Sequence, residues 1–172
     1  MTYLFPIASN TSTGIVQAGN NISIDASGVI STTGGGSATI GTWTPFLDTT
    51  GVGVYVIVNR YATYSKIGQQ VTCYFDFSVT SITGGYTSDT LILTGLPFTS
   101  ATSLLGSVGS LYTSFISGVS GGGYSGTITG TVPSASTQVN LWEMNGVSTG
   151  LKQESVKALS IIAGTITYIS AT

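Results

Sequence analysis

The chain has very few ionisable side chains. Only 6% of its 172 residues are charged, against roughly 25% in an ordinary soluble domain. The formal net charge is -2, and the sequence lacks the clustered Lys and Arg that a nucleic-acid-binding surface needs. A surface with so few charges is poorly soluble by itself, so we expect other subunits to cover much of it. Nucleic acid is not an expected partner.

Histidine is absent from the chain. Without it, no Ser–His–Asp triad, Cys–His pair or HExxH zinc site can form. Two carboxylates could still hydrolyse a glycoside, but no acidic residue of this sequence stands in a distinctive motif. The acidic residues are Asp25, Asp48, Asp76, Asp89, Glu143 and Glu154. We therefore expect a protein that is not an enzyme and that binds no metal or cofactor.

The chain has one cysteine and no long apolar run. Because Cys73 is the single cysteine, no internal disulfide can form, and its place in a strand pattern predicts a reduced, buried thiol. No segment approaches the ~20 consecutive apolar residues of a membrane-spanning helix. The N-terminal MTYLFPIASN lacks the basic region and apolar core of a signal peptide. We expect no membrane partner.

Alternating apolar and polar side chains predict β-strands along most of the chain. The clearest strands are 54–68 and 71–80, with Gly68 at the turn between them. Only 151–159 has a helix-like composition, so we expect one short turn or a helix there. Many short strands with frequent turn signals favour an all-β fold, specifically an antiparallel β-sandwich or jelly-roll-like domain. Further strands are predicted at 91–94, 104–108, 112–116, 126–131, 139–144 and 165–169.

The N-terminal region differs from the rest of the chain. Residues 32–37, TTGGGS, have the composition of a flexible linker, so we assign 1–37 to an extended arm with its linker and 38–172 to the β domain. The apolar residues of the arm alternate with polar ones but are too few to close a core. A flexible leader is the alternative. We expect contact with another chain through Ile15, Val16, Ile22, Ile24, Val29 and Ile30.

Several motifs follow one another in an order that resembles a known type of domain. GTWTP is at 41–45, RYATYSKIG at 60–68, VTCYFDFSVT at 71–80 and LILTGLPF at 91–98; VNLWEMNG, KALS and GTITYIS follow towards the C-terminus. In this order they resemble a domain of tailed-bacteriophage virion proteins, namely tail fibres, head fibres and capsid decoration proteins. The resemblance covers most of 41–172.

The resemblance implies a homotrimer that is part of the virion. Its first implied function is that of a capsid decoration or cement protein, or a head fibre, which binds the major capsid protein or other virion proteins and stabilises the shell. The arm would lie over neighbouring capsid subunits or exchange within the trimer. The alternative is a tail-fibre receptor-binding domain for a host-surface glycan. In that case Tyr86 and Tyr124, in the Gly-rich loops 81–89 and 118–126, are the expected ligand contacts.

Overall fold

The computed structural model describes residues 22–24, 30–32, 38–84, 89–119, 127–144, 148–152 and 155–171. These residues form antiparallel β-strands and turns and contain no helix, which confirms the all-β prediction. Accordingly, the described residues include no helix long and apolar enough to cross a membrane. The strands are β1 (Ile22–Ile24), β2 (Ile30–Thr32), β3 (Thr39–Thr42), β4 (Phe46–Thr49), β5 (Val54–Ile67), β6 (Gln70–Thr83), β7 (Leu91–Thr94), β8 (Ser107–Ser117), β9 (Thr127–Pro133), β10 (Gln138–Met144), β11 (Ser148–Gly150) and β12 (Ile161–Ile169).

The chain divides into two compact units, Met1–Ser37 and Ala38–Thr172. In the first unit, β1 and β2 pair antiparallel, and Ile24 lies opposite Ile30 in the register. Three of the predicted contact residues, Ile22, Ile24 and Ile30, are therefore in this ladder. The other three lie outside the described residues; they are Ile15, Val16 and Val29.

The second unit contains one ten-stranded sheet that curls until its two edges meet. The strand order is β3-β5-β6-β12-β8-β9-β10-β7-β4, with β11 paired to β10. Strands β3 and β4 are consecutive in the chain, yet β3 pairs with β5 at one edge and β4 pairs with β7 at the other. Residues 39–49 therefore join the two edges. The side-chain amide of Asn59 donates to the Pro45 carbonyl at 3.3 Å and ties β5 to this segment.

The long hairpin of β5 and β6 matches the strongest sequence prediction. Gly68 has a φ of +58°, which glycine adopts at little cost, and this residue turns the chain between the two strands. The register of β5 against β6 shifts between Val56 and Ile57 and again between Asn59 and Tyr61. Such bulges bend a sheet, so they account for part of its curl.

The strand prediction at 104–108 is wrong in its first three residues, and the predictions at 71–80, 112–116 and 165–169 are too short. Residues 104–105 form a turn, and β8 begins only at Ser107, because Gly106 has a φ of +80° and its N–H donates back to the Ser103 carbonyl at 3.4 Å. Strand β12 begins at Ile161 and β6 continues to Thr83, beyond the predicted limits. The described part of 151–159 is a turn, which was one of its two predicted states.

The core lies on the concave side of the curled sheet. In β6 every second side chain is buried, from Val71 through Phe75 to Val79, and β9, β10 and β12 alternate in the same way. Full burial of one such side chain stabilises the fold by about 1.5–3 kcal/mol. The rings of Phe75 and Phe77 stack with centroids 5.7 Å apart, and Trp43 meets Phe75 edge-on. The predicted buried thiol is confirmed, since Cys73 is 0% exposed.

The strand register defines two ends of the sheet. The entry end contains residues 38–39, 67–70, 98–106, 133–137 and 169–171, because Thr39 pairs with Lys66 and the Ser170 N–H donates to the Gln69 carbonyl. The far end contains residues 50–54, 81–84, 89–90, 117–119, 144 and 155–161. There the hydroxyl of Ser160 donates to the Gly118 carbonyl at 3.0 Å.

Gly164→Ala should destabilise the second unit strongly. Gly164 is on β12 between β6 and β8, and an added Cβ would lie 2.4 Å from the Tyr112 carbonyl oxygen and 3.0 Å from the Phe75 ring. Because backbone must move, we expect a loss of about 1–3 kcal/mol in the free energy of unfolding, measured by urea titration. Gly41→Ala is the matched control, since its Cβ meets only the outer end of the Tyr64 ring. Equal losses in both variants would contradict this account.

The free energy of unfolding should fall in alkaline solution, partly through Cys73. Burial raises the pKa of Cys73 to about 12, while the unfolded thiol ionises near ~8.5. Between these values the native state retains a proton that the unfolded state has lost, so stability falls as pH rises. Burial also raises the pKa of Tyr55 and of Tyr168.

Urea titrations of the wild type and of Cys73→Ala across the alkaline range test this pH dependence. The variant loses a constant amount of stability from its smaller side chain, but its stability should decline less steeply with pH. Identical slopes for the two proteins would show that the thiol does not contribute.

Candidate functional site

The described carboxylates are dispersed over the second unit. Among the described residues, no group of three or more His, Cys, Asp or Glu side chains is arranged to hold a metal ion. Asp48 is exposed on β4, whereas Glu143 is 3% exposed on the concave side of β10. One Glu143 carboxylate oxygen has no hydrogen-bond partner among the described residues. Asp25 and Glu154 lie outside the described residues.

An ion pair joins Arg60 to Asp76. Their nitrogen and oxygen are 2.7 Å apart, and the two side chains are 49% and 24% exposed. A pair this exposed contributes about 0–1 kcal/mol, so it is a minor element of stability. Its position is informative, because it lies among exposed aromatic rings on the convex side.

Exposed aromatic rings cluster on the convex side of the four central strands. One row across the sheet runs from Tyr61 on β5 through Asp76 and Ala163 to Phe115 on β8. The side chain of Ala163 on β12 is small, so it leaves a shallow space between the two rings. Each of these two rings is more than half exposed, at 57% and 54%.

The next row repeats this arrangement. Tyr74 on β6 and Tyr112 on β8 lie on either side of Thr165 on β12. Because neighbouring strands are ~4.8 Å apart, the backbones of the two tyrosines are about 10 Å apart. Two adjacent rows therefore present four aromatic rings on one continuous surface.

Strand β5 extends this surface with aliphatic side chains. Val54, Val56 and Val58 alternate along the strand on its convex side, and each is more than half exposed. We call the combined surface the apolar face, and its members range from 45% to 68% exposed. Contiguous apolar patches larger than a few hundred Å² are uncommon on monomers and mark interaction surfaces. The apolar face comprises Val54, Val56, Val58, Tyr61, Tyr74, Tyr112 and Phe115.

A second apolar feature protrudes from the entry end. Leu104 and Leu105 form the tip of a turn and are 105% and 91% exposed. The turn is held in place, because the Ser103 N–H donates to the Ser134 hydroxyl at 2.8 Å and the Ser134 N–H donates to the Gly106 carbonyl at 2.9 Å. The two leucines are thus presented to solvent by an anchored backbone.

The two predicted ligand contacts are not among the residues that the structure describes. Tyr86 and Tyr124 are both outside the described residues, so their role stays a prediction. The described ends of their loops, at Gly84 and at Gly118, are both at the far end of the sheet. The structure therefore brings the bases of the two loops to the same end, opposite the end at which residue 38 enters.

Sequence reasoning missed the apolar face. A signal was present in β5, whose segment VYVIV is apolar at both odd and even positions. A strand that buries only one side has polar residues at every second position, so a doubly apolar strand indicates two covered sides. The aromatic part had no such signal, because its rows depend on the pairing of β5, β6, β12 and β8.

Comparisons with known proteins assign no family to the chain. No protein-family model, no curated protein and no solved structure matches it. The apolar face, the anchored leucine turn and the scarcity of charge are therefore the features from which its function has to be inferred.

Proposed function

We propose that the chain is a non-enzymatic structural protein of a bacteriophage particle, a capsid decoration or cement protein or a head fibre, that acts as a homotrimer on the shell. The observation that carries the proposal is the apolar face. We further propose that the curled sheet belongs to the β-sandwich or jelly-roll class, with two layers packed across the core.

The apolar face supports self-association on energetic grounds. Removing apolar surface from water contributes roughly 25 cal/mol per Å², so seven half-exposed valine, tyrosine and phenylalanine side chains offer a strong driving force. Tyrosine is among the residues enriched where protein interfaces are fully buried. The pair of Arg60 and Asp76 can fix the register between subunits, because a charge pair favours one alignment over its neighbours.

The proposed mechanism is stabilisation by binding. A subunit that binds only the assembled shell shifts the equilibrium away from rupture, and it needs no reactive side chain to do so. The first unit supplies the contact with the major capsid protein through Ile22, Ile24, Ile30 and the other apolar residues of the arm. The protein would accordingly be located in the virion.

A tail-fibre receptor-binding domain for a host-surface glycan is the second candidate. One observation favours it: the bases of loops 81–89 and 118–126 share the far end of the sheet, opposite the entry of residue 38. Two loops that emerge together at one end of a domain are well placed to meet a cell surface. The number of copies in a purified virion separates the candidates, because a shell protein is present in hundreds of copies and a fibre tip in few.

The oligomeric state should depend on the apolar face. We expect the wild type to be a trimer, and Val56→Glu or Tyr112→Glu to be monomeric, because each places a charge in a surface that must be desolvated. Gln69→Glu is the control, since this exposed turn residue lies outside the face. Size-exclusion chromatography with light scattering gives the mass, and circular dichroism verifies the fold. A monomeric wild type at micromolar concentration would contradict the proposal.

Deletion of residues 1–35 should separate folding from attachment. The second unit begins at Ala38 and contains its own core, so the shortened chain should keep its β circular dichroism and its cooperative unfolding. Its occupancy on purified particles should fall to background, measured by quantitative gel analysis of virions assembled with the variant. Normal occupancy of the shortened chain would exclude the arm as the anchor.

A further inference from the structure

Trp142 occupies a distinctive position on the convex side of the sheet. It lies on β10, directly opposite Thr129 on β9 and Gly150 on β11. Its indole N–H donates to the Thr131 hydroxyl at 3.2 Å, and this bond fixes the orientation of the ring. Gly150 itself adds no side chain beside the indole, and the Thr90 methyl lies 2.6 Å from where a Cβ at position 150 would be. Trp142 is partly buried, so the ring is held in place while part of it stays accessible.

Two shallow clefts lie against this ring, and each has a volume of about 230 Å³. The first is bordered by Thr129, Gly130 and Thr131. The second has Thr90, Asn140 and Gly150 among its walls. Trp142 lines both clefts, so the indole forms the partition between them. Each cleft is smaller than the roughly 300–1,000 Å³ of a drug-sized pocket, which suits single small rings on either side of the partition.

The side chains that form the walls of the two clefts are uncharged, and several of them can form hydrogen bonds. The residues that line the two clefts include several threonines and Asn140 but no Asp, Glu, Lys or Arg. The amide of Asn140 offers both a donor and an acceptor. The Thr129 hydroxyl donates to the Leu111 carbonyl and can still accept, whereas the Thr131 hydroxyl accepts from the indole and can still donate. An aromatic ring beside such groups matches a ligand with an apolar face and a hydroxyl-rich edge. None of the lining residues would supply a cation to a phosphate or a carboxylate.

We propose that the clefts beside Trp142 bind a neutral glycan, with one sugar ring stacked on the indole and its hydroxyl groups bonded to Asn140 and the threonines. A neighbouring sugar of the same chain occupies the other cleft. This site is on the side of the sheet, distinct from the predicted loop contacts Tyr86 and Tyr124. It depends neither on trimer formation nor on the position of the protein in a particle.

Intrinsic fluorescence gives a direct readout. The chain has two tryptophans, and Trp43 is 8% exposed in the core, so a ligand-induced change reports on Trp142. The full-length protein is titrated with neutral oligosaccharides of glucose, galactose, mannose and N-acetylglucosamine, and with sialylated and uronic-acid oligosaccharides. We expect saturable binding of at least one neutral probe and none of the acidic ones. Preference for an acidic probe, or no binding of any neutral probe at millimolar concentration, would overturn the proposal.

Substitutions test whether the glycan binds at the Trp142 ring. Calorimetric titration with the bound probe should give no heat for Trp142→Ala and about fivefold to tenfold weaker binding for Asn140→Ala, the effect of losing one hydrogen bond. Tyr61→Ala is the matched control, because it removes an exposed ring of the apolar face that pairs with none of the residues lining the clefts, and it should bind as the wild type does. Retained affinity in Trp142→Ala, or lost affinity in Tyr61→Ala, would refute the site. Light scattering on Trp142→Ala keeps this outcome separate from the proposed function, because that variant should stay trimeric.

Discussion

The structure depends on the burial of the concave side of one curled sheet. With no helix to cover it in the described residues, the sheet has to bend so that its own strands face each other across the core. The rings of Phe75 and Phe77 on β6 and the Tyr168 side chain on β12 lie in this core. The hydroxyl of Tyr168 donates to the Phe98 carbonyl at 2.9 Å, which also fastens the segment after β7 to the central strands.

The same constraint explains why the convex side can be apolar. A sheet whose core is complete on one side does not need its other side for folding, so that side is free to carry residues chosen for contact. Here it carries valine and tyrosine where soluble sheets usually place charged residues. Since only 6% of the residues are charged, few ionic groups oppose association. Folding thus uses one side of these strands and leaves the other side for the proposed assembly.

Sequence reasoning recovered the local structure better than the surface. The alternation of apolar and polar residues located β5, β6, β7 and β10 closely, because successive side chains of a strand point to opposite sides of the sheet. It placed a strand at 104–108, where apolar residues occur in a turn whose conformation is set by Gly106. Whether the sheet is a sandwich or jelly roll is a question of layer packing, which local periodicity does not encode.

The candidate surfaces were harder to predict because they depend on which residues are paired across neighbouring strands. Tyr74 and Tyr112 are 38 positions apart in the sequence, and only their shared pairing with Thr165 makes them neighbours. Trp142 and Gly150 become partners through the pairing of β10 and β11. Glycines indicate that a loop is exposed, and for this reason Tyr86 and Tyr124 are the predicted ligand contacts. A partly buried tryptophan in a strand has the same local sequence pattern as a core residue, so the sequence does not distinguish the two.

One row of paired residues connects the apolar face to the proposed glycan site. Tyr112 pairs with Thr129, which borders the first glycan cleft, and Thr129 pairs with Trp142. The first cleft therefore begins one strand, ~4.8 Å, from the apolar face, and Trp142 is two strands, about 10 Å, from it. A trimer closed through the apolar face would therefore carry three copies of Trp142 near its rim. Shallow clefts with few hydrogen bonds imply weak binding for each copy. Three copies held in a fixed arrangement raise the avidity for a repeating glycan by about 10²–10⁴ when the spacing fits, so assembly would turn a weak site into an effective one.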